Sequence, residues 1–230
     1  MEKISANLKE VKKEIAETCL KVKRAPSEVR LLAVSKTLPI EAIKSAYAYG
    51  QRLFGENRVQ ELNRKQPVLP AEIEWHFIGT LQRNKVKNLV GRVSLIHSVD
   101  SFTLAQEISR QAVNNNLTIN ILLQVNIAAE VSKHGFTIQA VKEEITDISK
   151  LPGIRIKGLM TMAPLTGDPE EVRPIFRQLK ALALELKALE LPEVEMSELS
   201  MGMSEDFKVA IEEGATLVRI GSRIWEEESM

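Results

Sequence analysis

Val29-Arg30-Leu31-Leu32-Ala33-Val34-Ser35-Lys36 is a short apolar run bounded by charged and turn-forming residues, with a lysine where it ends. A continuous apolar run of this length suits a strand buried on both faces, as in a parallel sheet. A buried helix fits less well, because Pro39 follows so closely. The lysine at the end of the run has two readings. Held against apolar walls, an ammonium loses hydration, its pKa falls, and the neutral amine becomes available to condense with an aldehyde. Alternatively, Lys36 marks the point where the strand reaches water.

Outward from this run the chain alternates. Upstream, Ile4, Leu8, Val11 and Ile15 trace one face of an amphipathic helix that ends before Pro26. Downstream, residues 40–47 form a second helix closed by Gly50, residues 52–57 a short strand, and 58–62 open another helix. Further strands are expected at 73–79, 94–100, 119–127, 154–162, 195–201 and 217–221. Between them lie a basic helix around 84–90, one carrying Leu104, Ile108 and Ala112 behind an Asp100 or Ser101 cap, and one that follows a longer loop at 128–136. Val172, Ile175, Phe176, Leu179, Leu182, Leu186 and Leu189 trace a long helical face, in which Pro174 marks a bend or a delayed start. A short helix at 207–211 ends at Gly214, and Glu226-Glu227-Glu228 reads as a solvated tail.

Eight strand-then-helix units predict a single (β/α)₈ TIM barrel domain over residues 1–230, with an extra N-terminal helix. An open doubly wound sheet is the competing architecture. It is disfavoured because no Gly-x-Gly-x-x-Gly follows any strand.

Composition bounds the function. The chain has 230 residues, 44% hydrophobic and 27% charged, as expected for a chain that buries a core. Lys plus Arg and Asp plus Glu number 31 each, so no net field recruits nucleic acid or an anionic membrane. Cys19 is the only cysteine, which excludes an intrachain disulfide. Neither a signal core nor a bilayer-length apolar stretch is seen, and a cytoplasmic location is expected.

Barrel sites lie at the C-terminal ends of the strands. Those ends carry Lys36, Asn57, Gly79-Thr80, Ser98, Asn126, Met162, Ser200-Met201-Gly202 and Arg219-Ile220-Gly221-Ser222. After the last two strands, glycine amides and the hydroxyls of Ser200, Ser204 and Ser222 form a pattern suited to phosphate. Ser204 also reads as a plain helix cap, with Glu205 and Asp206 favouring the first turn. Arg219, charged within an apolar strand, needs a buried partner, either a structural carboxylate or a ligand ring. An aldehyde-trapping lysine, a phosphate cradle and a cation near a ring nitrogen together suit pyridoxal phosphate. His76, His97 and His134 lack metal-ligand spacing and read as hydrogen-bonding or surface residues, so no metal is expected. Glu56 reads as a base or, more simply, an ion-pair member. Lys85, Lys87 and Arg92 read as a solvated face.

Leu32-Ala33-Val34-Ser35-Lys36, Phe54-Gly55-Glu56-Asn57, Trp75-His76-Phe77-Ile78-Gly79, Gly158-Leu159-Met160-Thr161-Met162, Leu199-Ser200-Met201-Gly202-Met203-Ser204 and Val218-Arg219-Ile220-Gly221-Ser222 occur in order across nearly the whole chain. Together they closely resemble the pyridoxal phosphate homeostasis protein family. The resemblance implies a barrel like the N-terminal domain of alanine racemase, with pyridoxal 5'-phosphate bound covalently on Lys36. It further implies phosphate contacts from Ser200, Gly202, Gly221 and Ser222, with Arg219 facing the pyridine nitrogen, Asn57 beside the cofactor, and Met203 and Ser204 among the cofactor-binding residues. Which of Ser200 and Ser204 binds phosphate through its side chain stays open.

Bacterial alanine racemases carry a second domain that supplies an opposing tyrosine base and a dimer contact, and no counterpart is seen here. Tyr47 and Tyr49 fall on a helix away from the strand ends. The expected function is therefore a monomeric, non-catalytic carrier that buffers the cofactor or delivers it to apo-enzymes that depend on it. A slow racemase or lyase acting on amino acids is the competing function.

Overall fold

In the computed structural model, which describes residues 2–128 and 134–225, eight parallel strands pair in chain order and the last returns to the first. They are β1 (Arg30–Val34), β2 (Leu53–Glu56), β3 (Glu74–Phe77), β4 (Leu95–Val99), β5 (Ile119–Gln124), β6 (Ile154–Met160), β7 (Val194–Ser200) and β8 (Leu217–Ile220). Closure is direct: Leu32 of β1 pairs with Arg219 of β8. The open-sheet alternative is thereby excluded. The expected tail Glu226-Glu227-Glu228 and residues 129–133 of the expected long loop lie outside the described residues.

The helices are α1 (Glu2–Lys21), α2 (Ile40–Ala48), α3 (Val59–Lys65), α4 (Phe102–Asn114), α5 (Ile138–Ser149), α6 (Arg173–Lys187), α7 (Phe207–Glu212) and α8 (Ser222–Trp225). Pro174 sits in the first turn of α6, so it marks a delayed start rather than a bend. The basic segment expected as a helix is a 3₁₀ turn, Arg83–Asn88. Val86 and Leu89, three apart and both buried, stack on one side when the chain turns at three residues per turn. The four-residue α8 was not expected from the sequence.

Strand alternation sorts the core into two shells. Leu31, Ala33, Phe54, Trp75, Phe77 and Ile96 belong to the large cluster under the helices. Their neighbours Leu32, Leu53, Leu95, Leu122, Met160 and Leu217 form a separate cluster inside the barrel, with Val34 and Ile78 against it. That interior also carries polar side chains at the same inward register, among them His76, His97, Ser200 and Arg219, all buried.

The extra helix α1 buries Leu8, Val11, Ile15 and Cys19 and packs on α2, α7 and α8. Glu14 pairs with Arg223 and Lys208, and Asn7 Nδ2 donates to the Ile224 carbonyl at 3.1 Å. Trp225 Nε1 donates to the Val34 carbonyl at 2.6 Å. The N-terminal helix thus fixes α8 against the end of β1. Among the described residues no helix is long and apolar enough to cross a membrane.

Candidate functional site

At the C-terminal ends of the strands a cavity of about 830 Å³ opens. Its wall includes Lys36 and Asn57 from the first two loops, Arg219 from β8, and Met203, Ser204, Gly221 and Ser222 from the last two loops. Two of the expected site residues, Ser200 and Gly202, do not line it. Ser200 is buried with its hydroxyl engaged by His97 and Arg219. Gly202 faces α7: a Cβ there would lie 2.6 Å from Ala210 Cβ and 3.0 Å from Phe207 Cα, at a φ of +90° that side chains rarely adopt. Glycine at 202 therefore lets the chain turn tightly from β7 toward α7.

Lys36 lies two residues beyond the end of β1, and the residue is exposed. The expectation that apolar walls enclose it is not met. Its position is nonetheless strongly determined. The turn uses a left-handed Thr37 at φ 60°, and the residue before it is anchored: Ser35 N donates to the Gly55 carbonyl at 2.9 Å. The enclosed lysine is Lys65 on α3, fully buried, whose Nζ donates to the Ser35 carbonyl and to Glu56 Oε1, each at 2.7 Å. Ser35 Oγ also donates to Glu56 Oε1 at 2.7 Å. Glu56 is thus an ion-pair member, and the pair holds the turn that presents Lys36.

Across the mouth, Ser204 does not cap α7. That place is taken by Asp206, whose carboxylate accepts from the Met203 amide at 2.5 Å. Ser204 Oγ instead accepts from the Gly221 amide at 3.4 Å, which joins the two glycine-containing loops. The first N–H groups of α8, at Ser222 and Arg223, precede any intrahelical acceptor. Burial raises the Asp206 carboxyl above its usual range, against the opposing pull of the Met203 amide and Arg219.

Arg219 is held by a fork: Nη1 donates to Ser200 Oγ at 2.6 Å and Nη2 to the Thr161 carbonyl at 2.9 Å. Burial lowers its pKa to about 10, with Asp206 opposing the shift, so the guanidinium remains charged at neutral pH. Of the two expected partners, the structural carboxylate is not what holds the guanidinium: a hydroxyl and a carbonyl do, and Asp206 acts on it through charge alone.

Several lining residues were not singled out from the sequence. Asn126 and Met162 were read only as strand ends, and Ile78, Gln124, His134 and Asp206 were not read as site residues. Inward parity would have found Ile78 and Gln124, each two residues beyond a barrel-interior side chain. Among the described residues no group of three or more His, Cys, Asp or Glu side chains is arranged to hold a metal ion.

Gly79 sets the place of Asn57. A Cβ on it would lie 2.1 Å from the Asn57 carbonyl oxygen and 2.7 Å from its Cα, both backbone atoms. Gly79→Ala is expected to cost ~1–3 kcal/mol in urea unfolding, the usual range for overpacking. An unchanged midpoint would show that the two strand ends separate freely.

Burial lowers the pKa of His76 and lowers that of His97 far more, so both are neutral in the fold. In the unfolded chain each titrates near ~6.5. Below that pH the unfolded state binds more protons, so stability falls with pH until the lower native values are reached. The expected slope is up to about 1.4 kcal/mol per pH unit for each imidazole. Urea midpoints measured from about pH 7 to about pH 5 check this, and a flat profile would contradict it.

The chain matches the family model described as the alanine racemase N-terminal domain over residues 2–227. The pyridoxal phosphate homeostasis protein of Aquifex aeolicus (strain VF5) is 45% identical, covering 96% of this chain and 96% of the relative. That of Escherichia coli (strain K12) is 36% identical over 98% and 97%. The structure of PipY from Synechococcus elongatus PCC7942 with PLP bound aligns with a TM-score of 0.80 at 39% identity, covering 92% of this chain and 99% of that one. An alanine racemase of Clostridium difficile 630 shares the fold alone, with a TM-score of 0.79 at 14% identity over 100% of this chain and 58% of that one.

Proposed function

The chain belongs to the pyridoxal phosphate homeostasis proteins, a family built on the alanine racemase N-terminal domain, and we propose that it holds pyridoxal 5'-phosphate as a reversible Schiff base on Lys36, buffering the cofactor and delivering it to apo-enzymes. The observation that carries this reading is the convergence of one amine, one buried cation and two glycine-containing loops on a single cavity. About 830 Å³ is within the usual range for a site that takes a small cofactor.

When bound, the cofactor supplies an aldehyde that condenses with an amine, losing one water that hydrolysis later returns. Lys36 supplies that amine from a turn open to solvent, which suits exchange of the cargo. Ser204, Gly221, Ser222 and the Met203 backbone face the phosphate, with hydroxyl and amide donors in place of a lysine clamp. Arg219 faces the ring nitrogen, and Asn57 lies beside the ring. Ser200 and Gly202 act from behind the wall, one through Arg219 and the other through the turn it permits.

Non-catalytic holding is favoured by two features of the site. A guanidinium that stays charged keeps the facing ring nitrogen unprotonated, which weakens the ring as an electron sink. Two-base racemisation also needs a proton donor opposite the lysine. Among the described residues no tyrosine lines the cavity, and Tyr47 on α2 instead meets Glu72. The proposed carrier is a monomeric single-domain barrel acting in the cytoplasm.

The test loads dialysed protein with pyridoxal phosphate, removes the free cofactor, and adds the apo form of an enzyme that depends on it. Recovery of that enzyme's activity, with no α-proton exchange of free amino acids in heavy water by the carrier alone, is the expected result. Rapid exchange with turnover would overturn the carrier in favour of a racemase or lyase.

A further inference from the structure

Beneath the cavity floor, a single file of hydrogen bonds runs through the barrel interior. Arg219 Nη1 lies 2.6 Å from Ser200 Oγ, and Ser200 Oγ lies 2.8 Å from His97 Nδ1. His97 Nε2 lies 2.9 Å from His76 Nδ1, and His76 Nε2 lies 3.0 Å from Glu74 Oε1. The members come from β8, β7, β4 and β3, so the file crosses the barrel from the mouth toward the N-terminal ends of the strands. Both imidazoles and Ser200 are buried, whereas the Glu74 side chain is 41% exposed. At its outer end Glu74 also meets Arg30 at 3.5 Å and accepts from Ser94 Oγ at 3.1 Å.

The protons can be placed by counting donors. A guanidinium only donates and a carboxylate only accepts, while a hydroxyl and a neutral imidazole each carry one proton. Arg219 therefore donates to Ser200, whose own proton goes to His97 Nδ1. His97 then donates from Nε2 to His76 Nδ1, and His76 donates from Nε2 to Glu74. Every link is satisfied, with all donors pointing the same way. Reversing the file would leave a bare imidazole nitrogen against the Glu74 carboxylate, or would require a second proton on a buried ring.

We infer that His97 and His76 are positioning residues for Arg219: with Ser200 and Glu74 they form a one-way hydrogen-bonded file that locks the guanidinium in the orientation it presents to the cavity. That this orientation serves the ring of pyridoxal phosphate rests on the function proposed above. The file orients the Ser200 proton away from Arg219, so the oxygen lone pairs face Nη1. The Thr161 carbonyl fixes the second arm of the fork, and the cation cannot rotate without breaking both. Of the members of the file, only Arg219 lines the cavity.

The test has a part that needs no cofactor. In the nitrogen-15 NMR spectrum of the apo-protein at neutral pH, both buried imidazoles are expected to be neutral with the proton on Nε2. The Arg219 side-chain N–H signals are expected to be slow to exchange. Ser200→Ala and His97→Leu should each broaden or lose those arginine signals, whereas His97→Asn, whose amide oxygen can still accept from Ser200, should keep them. In the loaded protein, Ser200→Ala and His97→Leu should shift the cofactor's absorbance and weaken its binding about tenfold, the size of losing one hydrogen bond to a charged group. A proton on Nδ1 of both rings, or unchanged arginine signals in folded Ser200→Ala, would overturn the inference. So would wild-type affinity and spectrum in that variant. Should His97→Leu fail to fold, Ser200→Ala alone decides. An ordered file in a wild-type protein that binds no pyridoxal phosphate would sink the proposed function and leave the file standing.

Discussion

Lys36→Ala is expected to raise the dissociation constant for pyridoxal phosphate at least about a hundredfold, equivalent to ~2.7 kcal/mol, and to remove the absorbance of the Schiff base. The fold should be unaffected, because the residue is exposed and exposed substitutions stay within about 0.5 kcal/mol of wild type. Residual binding through the loops and Arg219 should persist, so the variant becomes a weak, non-covalent holder. Lys36→Arg separates linkage from charge, since a guanidinium keeps the positive charge without a condensing amine. It should behave like alanine in absorbance and bind more tightly than alanine in titration. Equal, wild-type-like absorbance in both variants after dialysis would place the linkage elsewhere.

Lys65→Met carries the largest expected cost in stability. Lys65 and Glu56 are fully buried and meet at 2.7 Å. Among the described residues Glu56 Oε2 has no further partner. Removing the cation strands a carboxylate in the wall between barrel and α3, and breaking a buried pair in this way costs about 3–5 kcal/mol. The paired change Glu56→Leu with Lys65→Met removes both charges and should recover most of that loss. Urea unfolding of the two singles and the double measures the coupling. An additive double would mean that the two charges act independently. Because Lys65 also donates to the Ser35 carbonyl, the single variant should loosen the turn that presents Lys36 and weaken cofactor retention along with stability.

The barrel was legible because its signal is local and repeated. Each strand is a short apolar run, each helix shows one greasy face, and eight such units leave little besides closure. Strand ends were less legible: the runs at 119–127 and 154–162 extend past β5 and β6 because buried residues such as Val125 and Thr161 continue the pairing for one step, Val125 N donating to the Met160 carbonyl at 2.8 Å and Thr161 N to the Ser200 carbonyl at 3.2 Å.

The site was legible where chemistry is concentrated at strand ends. Lys36, Asn57, Arg219 and the two glycine-containing loops come together as the pattern implied. Side-chain direction was not legible for Ser200, since a serine at the end of β7 reads the same whether it faces a phosphate or an arginine. The buried lysine was also misplaced, because Lys65 sits in the polar stretch Glu61-Leu62-Asn63-Arg64-Lys65-Gln66 and only its partner across space reveals it. The imidazole file lay equally hidden. His76 and His97 are 21 apart in sequence, and only the adjacent inward registers of β3 and β4 bring them into contact.

Reduction with borohydride followed by peptide mapping tests the covalent assignment most directly. The protein is loaded with pyridoxal phosphate, reduced, digested and examined by mass spectrometry for a fixed phosphopyridoxyl group. A single adduct on the peptide containing Lys36, absent from Lys36→Ala, is the expected result. An adduct confined to another lysine, or none at all from a protein that retains its yellow colour, would contradict it.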